Sequence, residues 1–112
     1  MITDCHVHIV PIRLHKPGLV TLLKKDSPAS VQWEKFCSSP TAFLNYLDSV
    51  QVERAVLVSS VAPGAGIAQE DMNHFVGEYA KENPLRLIAS GGVLPRPGMD
   101  MQGVVEQLIR AK

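Results

Sequence analysis

Apolar residues along this chain fall into short β-branched runs that alternate with stretches of helical spacing. Residues 2–10 are short, apolar on average and rich in β-formers, which predicts a strand. Pro11 ends it by removing a ladder donor. Residues 12–38 are irregular in pattern. Pro17-Gly18 marks a turn, 20–25 suit a helical turn, Ser27-Pro28 interrupts it, and 30–36 suit another short helix. Ser39-Pro40 is a stronger start signal, a capping hydroxyl followed by proline at the first helical position. Phe43, Leu44, Leu47 and Val50 follow at helical spacing, so an amphipathic helix is expected over 40–51.

Residues 55–58, extended to 61, form a near-continuous β-branched run without polar alternation. Such a strand is expected to be buried on both faces, in a parallel sheet covered by helices. Pro63-Gly64-Ala65-Gly66 is a loop. Met72, Phe75, Val76, Tyr79 and Ala80 then mark a helix that should stop near Asn83, ahead of Pro84. Residues 87–94 predict a third strand whose Ala89-Ser90-Gly91-Gly92 centre is small. After the loop 95–98, Asp100 is placed to cap a last helix with an apolar stripe of Met101, Val104, Val105, Leu108 and Ile109. This alternation of strands and helices implies an α/β fold with a parallel sheet.

Composition narrows the functional classes. The chain has 112 residues, 46% of them apolar, with eleven basic side chains against eleven acidic. No clustered positive charge marks a nucleic-acid or anionic-membrane surface; the longest like-charged basic run is Lys24-Lys25. No apolar run approaches the ~20 residues of a bilayer span. The N-terminus lacks the layout of a signal peptide, so the expected location is the cytoplasm, with Cys5 and Cys37 as reduced thiols.

The chemistry is concentrated in Asp4-Cys5-His6-Val7-His8. Strand alternation predicts Asp4, His6 and His8 on one face and Thr3, Cys5, Val7 and Ile9 on the other. Two imidazoles two residues apart can converge on one ion, and imidazole suits zinc and other first-row divalent metals. Asp4 is expected to support them, accepting a hydrogen bond from an imidazole or from backbone near the strand start. The pair falls at the C-terminal end of the first strand, where α/β barrels keep their sites.

Residues 2–11, Ile-Thr-Asp-Cys-His-Val-His-Ile-Val-Pro, resemble the start of the amidohydrolase superfamily. The likeness is to the amidohydrolase-related branch that includes aminocarboxymuconate-semialdehyde decarboxylase. Asp48-Ser49-Val50-Gln51-Val52-Glu53-Arg54-Ala55-Val56-Leu57 looks like that branch's approach to its second strand, with the usual turn glycine replaced near Gln51. Asn73, then Asn83-Pro84-Leu85-Arg86-Leu87 and Gly92-Val93-Leu94-Pro95, resemble its helix, proline–arginine entry and exit of the third strand. The resemblance implies a (β/α)8 TIM-type barrel holding a divalent metal, zinc first. It also implies hydrolysis of a small-molecule substrate by metal-activated water, or nonoxidative decarboxylation. His6 and His8 match the first two metal ligands; the later histidines and aspartate have no counterpart here, and no catalytic residue can be named. A barrel needs ~250 residues. Residues 1–112 are therefore expected to be the N-terminal part of one barrel domain, about three strand–helix units, inactive alone and able to form homo-oligomers when full-length.

Other residues carry weaker readings. Arg96, just past the third strand, is a candidate to hold a substrate carboxylate. His15 is expected in a solvated loop, His74 on a helix surface and Cys5 in the core. A four-ligand set of Cys5, His6, His8 and Cys37 lacks zinc-knuckle spacing. Trp33 and Phe36 either fold over the site mouth or pack. Gly64 and Gly66 lack the remainder of a phosphate loop. Two other classes stay open: a small complete α/β binding domain with structural histidines, and one subunit of a split barrel.

Overall fold

The β-branched runs pair side by side. The computed structural model describes residues 1–14, 16–25, 29–60 and 67–111. Within them β1 (Thr3–Val7), β2 (Arg54–Val58) and β3 (Leu87–Ser90) form a parallel three-stranded sheet in the order β1-β2-β3. A 3-10 turn (Ile12–Leu14), α1 (Pro17–Lys25), α2 (Ser30–Ser38) and α3 (Pro40–Ser49) lie between β1 and β2. Helix α4 (Gln69–Lys81) joins β2 to β3, and α5 (Met101–Arg110) follows β3. The expected element order therefore holds. The Ser27-Pro28 break and the glycine loop fall outside the described residues.

One face of the sheet is packed. On β2, Ala55 and Leu57 are 0% exposed, and Leu87, opposite Ala55 on β3, is 1% exposed. Phe43 and Leu47 from α3 and Met72, Val76 and Tyr79 from α4 close over this row. The other face differs from expectation. Val56 and Val58 are only half-buried, and Ile88, opposite Val56, is 42% exposed. A three-stranded sheet with helices on one side makes two layers, and the molecule's shortest extent is 18 Å. The continuous apolar run of β2 is thus buried on one face instead of two.

Helices α3 and α5 start where the sequence places them. The Ser39 hydroxyl accepts from Ala42 N–H at 3.1 Å, and Asp100 Oδ1 accepts from Gly103 N–H at 3.0 Å. Helix α3 ends in a Schellman turn: Val52 N–H donates to Leu47 C=O at 2.9 Å and Gln51 N–H to Asp48 C=O at 3.2 Å. Gln51 takes the left-handed position, φ 58°. It stands where glycine usually relieves the Cβ crowding of that conformation.

Strand β3 is shorter than the predicted 87–94, and α4 side chains take over where its ladder stops. Asn73 Nδ2 donates to Gly92 C=O at 2.9 Å, and Gly92 N–H donates back to Asn73 Oδ1 at 2.8 Å. One turn earlier, Gln69 Oε1 accepts from Leu94 N–H. Gly92 is required for the approach to β2, because a Cβ there would stand 2.7 Å from Ser59 C=O. At the opposite end of the sheet Arg86 acts as a staple. Its guanidinium pairs with Asp48 at 2.7 Å and donates to the carbonyls of Glu53 (2.8 Å) and Val52 (3.1 Å). The last helix has no fully buried residue: Leu108 reaches Gly91, while Met101, Val105 and Ile109 remain exposed.

Two outcomes follow. Gln51→Gly removes a Cβ from the left-handed position, and should raise stability by up to about 1 kcal/mol after the glycine entropy cost. Thermal denaturation should show a midpoint higher by about 4 °C. Arg86→Met leaves the Val52 and Glu53 carbonyls without their donor, and should lower stability by about 1.5–3 kcal/mol in urea titrations. An unchanged midpoint would remove the staple from the account.

Candidate metal centre

The histidines converge, but by a route that alternation did not predict. Thr3 aligns with Arg54, Asp4 with Ala55 and Val7 with Leu57, so β1 carries one extra residue between Asp4 and Val7. This is a β-bulge. Asp4 therefore lies in the helix-facing row of Ala55. His6 and His8 flank Val7, so alternation about Val7 directs them to the row of Val56 and Val58. The three residues do not share a face of the sheet as a regular strand would require. Val7 and Ile9 take the packed side, where Ile9 is 2% exposed. Cys5, expected in the core, is exposed.

The two imidazoles meet just at the C-terminal end of β1. Their Nε2 atoms are 2.9 Å apart, with ring centroids at 4.7 Å and planes at 77°. As a bare pair, one nitrogen donates to the other, with roles set by the tautomers. The Asp4 carboxylate does not bond an imidazole; its Oδ1 accepts the backbone N–H of His6 at 3.1 Å. Both histidines and Asp4 are solvent-accessible.

The donor set fits half of a metal site. Nitrogens ~2.0–2.1 Å from one ion stand ~2.9 Å apart at a right angle and ~3.4 Å apart at the tetrahedral angle. The observed separation of 2.9 Å matches the first and is ~0.5 Å shorter than the second. No group of three or more histidine, cysteine or acidic side chains able to hold a metal occurs among the described residues. Cys37 is buried in the core and is no part of such a group.

An open groove of about 370 Å³ runs beside β1. Asp4, His6 and His8 border it together with Trp33, Phe36, Phe43 and Tyr46. Trp33 and Phe36 thus both pack on the core and face the groove. Phe36 stacks against Tyr46 at 4.8 Å, and its carbonyl accepts the Tyr79 hydroxyl. That bond ties α2 to α4, and no sequence motif signals it. Arg96 is exposed and does not line the groove. His74 is exposed on α4, as expected, and His15 lies outside the described residues.

Comparison with protein-family models, with curated proteins and with solved structures gave no match. Among the described residues, no helix is long and apolar enough to cross a membrane.

Burial raises the Cys37 thiol above its ordinary value of 9.0; a hydrogen bond with the Val10 backbone opposes this and the Glu34 carboxylate adds to it. Burial also raises the Tyr79 phenol, with Cys37 as a second cause. Both groups stay neutral in the folded chain at pH values where the unfolded chain ionises. Their contribution is therefore complete below pH 9 and is lost as pH climbs beyond it. Urea unfolding should show stability falling above pH 9, by at most about 1.4 kcal/mol per pH unit for each group. Cys37→Ala should flatten that decline; an unaltered slope would remove the thiol as its source.

Proposed function

We propose that the chain is the N-terminal part of a metal-dependent amidohydrolase-related barrel, in which His6 and His8 supply two ligands to a divalent ion, zinc first. The observation that carries this reading is the 2.9 Å approach of the two Nε2 atoms at the C-terminal end of β1. In α/β barrels that end of the sheet carries the chemistry. The resemblance of residues 2–11 to the superfamily's opening strand supports the same assignment.

An ion bound there supplies a water acidified towards neutral pH, suited to hydrolysis of a small substrate or to support of decarboxylation. The chain's own residues present two ring nitrogens on one side of a strand end. Catalytic zinc sites take three protein ligands, so further ligands belong to strands beyond these three. Among the described residues the outer edges of β1 and β3 are unpaired, and these edges with the half-buried second face favour a sheet that continues. Arg96 is a weaker assignment for a substrate carboxylate, and a cytoplasmic location goes with the reading.

Titration calorimetry with zinc chloride on the 112-residue chain tests the ligand claim. One weak site per chain is expected, and the paired substitution His6→Ala/His8→Ala should weaken it about tenfold or more. Equal binding by both chains would sink the assignment.

A further inference from the structure

We propose that Asp4 is a positioning residue for the histidine pair: by taking the His6 backbone N–H, its carboxylate holds the extra residue of β1 that turns both imidazoles onto the open face of the sheet. The metal arm of this inference rests on the function proposed above; the register arm does not.

Asp4 lies opposite Ala55. Continued one residue for one, β1 would set His6 opposite Leu57 and His8 opposite Ser59. Both positions belong to the packed row, with Leu57 0% and Ser59 7% exposed. Two imidazoles would then take the packed-row positions that Val7 and Ile9 hold, and Val7 would turn to the open side. A slip of one residue exchanges every side chain between faces. In the structure Val7 stands opposite Leu57 instead, and the exchange has occurred between Asp4 and Val7.

A bulge of this kind leaves a backbone group out of the ladder. The His6 N–H is bonded at 3.1 Å by Asp4 Oδ1, two residues back along the same chain. A carboxylate accepting a backbone N–H is a charge-assisted bond, stronger than a neutral one. It also closes a local turn that spans Cys5, the residue over which the phase changes. β2 is the only strand paired with β1 among the described residues, so no second ladder fixes its phase. The side chain at position 4 is the group placed to do so.

The test compares the wild-type 112-residue chain with Asp4→Ala, Asp4→Asn, and Asp4→Ala carrying a deletion of Cys5. NMR cross-strand contacts to Leu57 read the register, and zinc titration reads the ligand pair. In wild type, Leu57 should contact Val7. In Asp4→Ala that contact should pass to His6, and zinc binding should fall about tenfold. Asp4→Asn keeps an acceptor oxygen and should retain both readouts within about twofold. Deleting Cys5 removes the extra residue, so it should return Val7 to Leu57 without any carboxylate. Retention of the Val7–Leu57 contact in Asp4→Ala overturns the proposal. So does failure of the deletion to restore it, which also decides the matter if Asp4→Ala alone does not fold. A wild-type chain that binds no zinc would count against the proposed function, while the Leu57 contacts would still decide the role of Asp4.

Discussion

The packed row of β2 sets the phase of the whole sheet. Ala55 and Leu57 are wholly withdrawn from water, with Leu87 beside them and α3 and α4 above. Burying a large aliphatic side chain contributes roughly 1.5–3 kcal/mol. Leu57, Leu87, Val76 and Ile9 are the largest side chains so buried, and they draw on all three strands' surroundings. A strand joining this row must offer apolar side chains at the matching positions. Strand β3 does so one for one, Leu87 against Ala55. Strand β1 cannot, because the residue two places after Asp4 is a histidine. It adds a residue and offers Val7 and then Ile9. Apolar packing on one side, together with the Asp4–His6 bond, thus sets where the histidines emerge.

That dependence explains what could be read from the sequence and what could not. Helix starts were legible because a cap is a local event: Ser39 and Asp100 each bond a backbone N–H three residues on. The strand runs were legible from their β-branched content, and their parallel order from the helices between them. The phase of β1 was not legible. Alternation within residues 2–10 tells which side chains share a face only if the strand is regular. Its regularity depends on a partner some fifty positions later. The misplacement of Cys5 in the core follows from the same cause. The run 55–58 was read as buried on both faces because composition records apolarity and not the number of layers available. The helix 40–51 ends earlier because the turn at Gln51 is closed by Val52 and Leu47 rather than by a glycine. His6 and His8 as a converging pair were legible, since spacing by two brings neighbours together on either face.

Bonding is distributed unevenly between the ends of the sheet. At the N-terminal ends of the strands, Arg86 binds two carbonyls and the Asp48 carboxylate, joining β3 to the turn that feeds β2. At the C-terminal ends, Asn73 and Gln69 do the work of a neighbouring strand for the segment that follows β3. The first device fastens strands to one another. The second fastens a helix to an extended segment and leaves that segment's course beyond Leu94 to other contacts.

The strain at Gln51 belongs to the same division. A side chain in the left-handed region costs about 1–2 kcal/mol against glycine, yet the turn forms, because its two Schellman bonds, the Val52–Leu47 contact and the Arg86 staple all require one backbone path. At β1 the balance is less one-sided. There a single carboxylate–amide bond and the packing of Val7 and Ile9 stand against an unpaired edge and a disrupted ladder. A strand so held sets two imidazoles side by side with one neighbouring strand among the described residues. The N-terminal end of the sheet therefore absorbs strain through redundant contacts. At the other end, the segment after β3 is carried by Asn73 and Gln69, whereas β1 depends on its ladder with β2 and on the bond from His6 N–H to the Asp4 carboxylate.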